Sequence, residues 1–145
     1  MASGSCKCGK IGYSLTEVPT EATACHCLEC RKVFSAAYGP WFGVSNAVLT
    51  WTVKPDLVEK SDIAERGYCS NCHTPTTMVY FAQPERTYLS AVGMGLPINE
   101  HIFLGEQEEG YVIPDDGAVR YQEFNPPFEK ILQAWRKLSG SNKGN

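Results

Sequence analysis

The chain has no long apolar run: no window comes near the roughly 18 consecutive apolar residues that a membrane-spanning helix needs. No basic segment followed by an apolar stretch opens it, so the expected compartment is the reducing cytoplasm. No basic excess is present either. The formal charge is −3, and the densest cationic pairs are only Arg31-Lys32 and Arg136-Lys137. That balance argues against a nucleic-acid partner, which usually meets a basic face. Internal repeats and long low-complexity segments are also missing. Histidine is scarce, with three in 145 residues: His26, His73 and His101.

Cysteine, by contrast, is plentiful. There are seven, an odd number that full disulfide pairing would not satisfy. In a reducing compartment clustered cysteines more often hold metal or do chemistry. They fall into three groups: Cys6-x-Cys8, Cys25-x-Cys27-x-x-Cys30 and Cys69-x-x-Cys72. Zinc favours thiolate sulfur in a tetrahedron, and close spacing supplies it. A zinc ribbon could join Cys27 and Cys30 to Cys69 and Cys72, but it would leave Cys6, Cys8 and Cys25 without a role. The more economical division is local. Cys25, Cys27 and Cys30 lie within six residues, so one ion holds them at little loop-closure cost. Cys6, Cys8, Cys69 and Cys72 then form a closed structural site.

The expectation is therefore two zinc ions, one structural and one catalytic. Three protein ligands leave a fourth position for water or substrate. A histidine could instead close it. His26 lies between ligands and should point away, His73 sits beside the other site, and His101 is left open. Three thiolates also overcompensate a divalent ion. Such a centre favours delivering a bound thiolate over activating water.

Short strands are expected at Lys10–Leu15, Tyr38–Val44, Val48–Val53, Ile63–Tyr68, Thr76–Phe81 and Thr87–Val92, rich in β-branched and aromatic residues and separated by turn signals. A short helix is expected at Leu28–Ser35, after the second cysteine cluster. A second, amphipathic helix runs from about Pro127 to Leu138, capped by Asn125, with Phe128, Ile131, Leu132, Trp135 and Leu138 on one stripe. One zinc-binding domain over 1–138 and a flexible Gly-rich tail over 139–145 complete the organisation.

The stretches Gly4-Ser5-Cys6-Lys7-Cys8-Gly9, Cys25-His26-Cys27-Leu28-Glu29-Cys30-Arg31-Lys32 and Arg66-Gly67-Tyr68-Cys69-Ser70-Asn71-Cys72-His73-Thr74 resemble the glutathione-dependent formaldehyde-activating (GFA) family. Centromere protein V belongs to the same superfamily. The likeness runs from about Gly4 to Phe124 and is looser around His101 and Glu109–Gly117. It implies a mainly β fold of small twisted antiparallel sheets around zinc, often called a β-tent, and the same division of cysteines. It departs from the family where Gly commonly follows the last C-x-x-C and His73 stands here. Tyr111 likewise replaces a common Trp.

The function this implies is a zinc-dependent carbon–sulfur lyase, or the reverse addition, acting on glutathione or other thiol adducts of a small electrophile. Cys25, Cys27 and Cys30 would form the catalytic centre. Arg31 could clamp a glutathione carboxylate, and Trp41 and Phe42 could line the pocket. His101 could take part in ligand binding, and His101 or Tyr111 could move protons. A non-catalytic zinc module for a protein or nucleic-acid partner is the alternative, and a redox or metal-buffer role is a third. A homodimer is left open.

Overall fold

The computed structural model describes residues 1–140. Most of the expected 139–145 tail lies outside the described residues, and Ser139 and Gly140 form a turn. Eleven strands and two helices follow in chain order: β1 (Ala2–Ser5), β2 (Gly12–Leu15), β3 (Ala22–Cys25), α1 (Leu28–Phe34), β4 (Gly39–Ser45), β5 (Leu49–Val53), β6 (Leu57–Lys60), β7 (Ala64–Tyr68), β8 (Pro75–Tyr80), β9 (Arg86–Ser90), β10 (Ile98–Ile102), β11 (Val119–Arg120) and α2 (Pro126–Leu138). The fold is mainly β, as expected. It contains a three-stranded sheet, β1-β2-β5, and an eight-stranded sheet, β11-β10-β3-β4-β9-β8-β7-β6. One feature differs from an all-antiparallel expectation: β10 runs parallel to both β3 and β11.

Strand alternation explains how the large sheet builds two cores. On β4, Trp41 and Phe42 point to opposite faces. Trp41 joins Cys25, Cys30, Met78, Tyr80, Phe128 and Leu132 on one side. Phe42 joins Leu15, Ala22 and Leu89 on the other, where Tyr13 and Trp51 of the small sheet close over them. The large sheet is thus covered by α2 and the cysteine-bearing α1 on one face, and by the small sheet on the other.

Helix α2 begins where Asn125 accepts the Phe128 N–H at 3.0 Å, with prolines at its first two positions. Its apolar stripe is narrower than expected. Phe128 and Leu132 are buried, and Trp135 packs against them. Ile131 and Leu138 face outward at 36% and 90% exposure. Among the described residues no helix is long and apolar enough to cross a membrane.

Candidate metal centres

The seven cysteines gather into two groups: Cys6, Cys8, Cys69 and Cys72, and Cys25, Cys27 and Cys30. Within each group the sulfurs lie within 4.8 Å of one another.

In the four-cysteine group a turn after β1 brings Cys6 to Cys8, sulfur to sulfur at 3.6 Å, and Cys8 reaches Cys69 at 3.7 Å. The sulfur of Cys6 accepts the Ile11 N–H at 3.3 Å, and that of Cys69 accepts the Cys72 N–H at 3.5 Å. The Thr74 hydroxyl, 3.0 Å from the Cys72 sulfur, helps bring that thiol down to about 5. Lys10 and Asp56 pair beside the site, and Asp56 also takes the Ser70 N–H at 2.8 Å, tying the two cysteine loops together. His73 sits at φ 60°, the left-handed conformation that suits glycine.

In the three-cysteine group Cys25 ends β3, Cys27 caps α1, and Cys30 lies in its first turn. The cap is the sulfur itself, which accepts the Cys30 N–H at 3.4 Å. Cys25 and Cys27 are 3.4 Å apart. Gly39 of β4 lets the helix approach, since a Cβ there would lie 3.1 Å from that of Cys30 and closer to the Phe34 ring. Contacts with the Cys25 and Cys27 thiols, then the charge of Arg66 and the Trp41 indole N–H, hold the Cys30 thiol far below its ordinary range, against the effect of burial. Trp41 Nε1 is 3.4 Å from that sulfur and Arg66 Nη2 is 3.5 Å from it.

The donor set fits zinc. Four sulfurs about 2.3 Å from a tetrahedral ion stand about 3.8 Å apart, close to the observed 3.4–3.7 Å. Either cluster can hold a metal ion. Among the described residues no fourth His, Cys, Asp or Glu donor joins the three-cysteine group. All three of its cysteines line a cavity of about 490 Å³, walled by Ile63, Met78, Tyr80, Phe103 and Phe124, with Arg66 among its polar residues. A smaller cavity of about 230 Å³ lies beside Cys6 and Tyr13 and touches none of the three.

Several residues expected at the ligand pocket stand elsewhere. Arg31 turns away from the cavity. Its guanidinium donates to the Glu106 carbonyl at 2.6 Å, the Glu108 carboxylate at 2.8 Å and the His26 carbonyl at 3.2 Å. Trp41 is buried beneath Cys30 and does not line the cavity. Phe42 points into the other core. His101 does not join the cysteines. Its Nε2–H donates to Asp116 at 2.7 Å, which leaves Nδ1 to accept from His26 Nε2–H at 2.9 Å. That bond holds the Asp116 carboxyl below its usual range. His26 is fully buried near Tyr38 and Tyr111, and its Nδ1 has no partner. Burial, and then His101, lower its pKa to about 4. This chain of three side chains clamps the peptide between Cys25 and Cys27 from behind. The Tyr111 ring lies 6.4 Å from that of His26, tilted by 32°, and stays out of the cavity. Sequence reasoning missed Arg66. The signal available was its strand position, three residues before Cys69.

A family model described as glutathione-dependent formaldehyde-activating enzyme matches residues 1–104. The looser likeness beyond His101 lies mostly outside that span. A crystal structure of a Rhodobacter sphaeroides protein, solved as a structural-genomics target, shares the fold with a TM-score of 0.51 and 17% identity. The match covers 83% of this chain and 99% of that one. A search of curated proteins returns no match.

Proposed function

The chain belongs to the glutathione-dependent formaldehyde-activating family, and on that premise we propose that it is a zinc-dependent carbon–sulfur lyase, acting in either direction on adducts of glutathione or a similar thiol with a small electrophile. The observation that carries this reading is the three-cysteine cluster on the wall of a 490 Å³ cavity, with no fourth protein donor among the described residues. Cys25, Cys27 and Cys30 would hold the catalytic ion, and Cys6, Cys8, Cys69 and Cys72 the structural one. When bound at the first of these, zinc supplies positive charge that favours the ionised form of an incoming thiol.

The chain's own residues supply the rest. Trp41 and Arg66 fix the Cys30 sulfur from beneath and beside it. Met78, Tyr80, Phe103 and Phe124 give the cavity an apolar wall that keeps water from the reacting carbon. For a carbonyl electrophile, the thiol sulfur donates an electron pair to the carbonyl carbon and forms the C–S bond. The carbonyl π pair moves to oxygen, which takes up the proton the thiol gave up. In reverse, the hydroxyl loses its proton, the C–S pair returns to sulfur and the carbonyl reforms. Neither His26, His101 nor Tyr111 lines the cavity, so none of the three is placed to carry that proton. A reducing cytoplasm, where such thiols stay free, suits this chemistry.

Zinc content and glutathione binding by calorimetry, in the wild type and in Cys27→Ser, test the reading. The expected result is loss of one zinc and of glutathione binding in the variant. Equal glutathione binding by both proteins would overturn it.

A further inference from the structure

We propose that Arg66 binds a carboxylate of the thiol substrate and thereby separates acidic thiols from neutral ones at this site. The inference rests on the reading of the three-cysteine cavity given above.

Register places Arg66 there. On the large sheet Glu59, Arg66 and Met78 stand directly opposite one another across β6, β7 and β8. Opposed residues share a face, and all three line the cavity. The guanidinium carbon lies 5.9 Å from the centroid of the Trp41 ring, and Nη2 reaches the Cys30 sulfur at 3.5 Å. A stacked guanidinium is held in orientation, with its donors in a fixed plane.

The cation lacks a carboxylate partner. Among the described residues no acid lies within ion-pair distance of it, and its Nη1 is buried without an acceptor. The acids that share the cavity wall point elsewhere where their bonds are defined. Glu59 accepts the Tyr68 hydroxyl at 3.3 Å and Glu106 accepts the Leu28 N–H at 3.1 Å. The Cys30 sulfur meets Nη2 and leaves Nη1 unmet, and a desolvated donor without an acceptor is costly. Arg31, in contrast, has all its acceptors within the fold. Arg66 also stands beside the sulfur cluster, so a carboxylate held by it lies within a short chain of a thiol entering there. The second arginine of the cavity wall, Arg136, comes from the last turn of α2.

The test pairs 3-mercaptopropionate with 3-mercaptopropanamide, which differ in charge and little in shape. Calorimetry on the zinc-loaded full chain compares wild type, Arg66→Met, Arg66→Lys and Arg136→Met, with zinc content measured for each. The wild type is expected to bind the acid about tenfold or more tightly than the amide, the strength of a charge-assisted pair. Compared per zinc-loaded chain, Arg66→Met should bring that ratio near one, Arg66→Lys should keep part of it, and Arg136→Met should keep most of it. Equal binding of acid and amide by the wild type overturns the proposal, and so does a ratio that survives Arg66→Met. If Arg66→Met does not fold, the wild-type ratio still decides. Failure of the underlying lyase reading shows separately: neither thiol binds the wild type, or both bind Cys27→Ser equally well, and the proposal then falls with it.

Discussion

The two cysteine clusters use the same side chain for opposite ends. The four-cysteine group joins loops 61 residues apart in sequence, with Cys8 exposed and Cys72 half-exposed, over a small core of Ile11 and Trp51. The three-cysteine group is drawn from six consecutive residues, with Cys25 and Cys30 buried against the main core and a cavity before them. An ion in the first closes a long loop, so its binding is largely folding. An ion in the second closes almost nothing, since β3 and α1 already hold the sulfurs. What it gains is a position facing open space. Ligand type is shared, and placement distinguishes a cluster that ties distant loops together from one that faces a cavity.

The sharpest break in that contrast comes from paired serine variants. Cys69→Ser should abolish cooperative unfolding or lower the melting temperature by tens of degrees, because structural zinc is worth on the order of 10 kcal/mol. Cys27→Ser should lower it far less, and thermal denaturation of the two proteins side by side checks this. Next in size is the support behind the three-cysteine group. Phe128→Ala should cost about 3–5 kcal/mol in urea unfolding by opening a hole beneath the cavity wall. Asp116→Ala should cost about 1–3 kcal/mol by leaving the buried His101 donor without its acceptor. Hydrogen exchange should rise in β3 and β10 before it rises at the four-cysteine loops. On the other side of the comparison, His73→Gly should stabilise by about 0.5 kcal/mol, since glycine adopts the left-handed turn without strain but gains freedom when unfolded. Lys10→Ala should change stability by no more than about 1 kcal/mol, as its pair with Asp56 is partly exposed.

How legible these regions were depends on whether the cue is local. Cysteine spacing is local, and it divided the seven into the groups that the fold assembles. Both helices were expected, α2 from its cap and periodicity, although Ile131 and Leu138 share the stripe and still face outward. Strands β1, β3, β6, β10 and β11 escaped notice. Ala2–Ser5 and Ala22–Cys25 are mostly small residues with little strand propensity, and they become strands through pairing, β1 with the nearby β2 and β3 with the distant β10. Ile98–Ile102 is interrupted by Asn99 and Glu100 and pairs in parallel with β3, a crossover that no turn signal announces. The site suffered from the same limit. Arg31 was the expected clamp for a carboxylate because a guanidinium can make two bonds to one, yet helical geometry sends it toward Glu106 and Glu108. Arg66 is 36 residues from Cys30 and meets it through sheet register alone.

Cobalt substitution followed by glutathione titration tests the division of labour most directly, because tetrahedral thiolate cobalt absorbs visibly and reports each change of ligand. The expected result is two cobalt ions per chain, with glutathione altering the sulfur-to-metal band of one of them and Cys27→Ser removing that change. A single ion per chain, or two whose spectrum glutathione leaves untouched, would contradict the assignment of Cys25, Cys27 and Cys30 to an open centre.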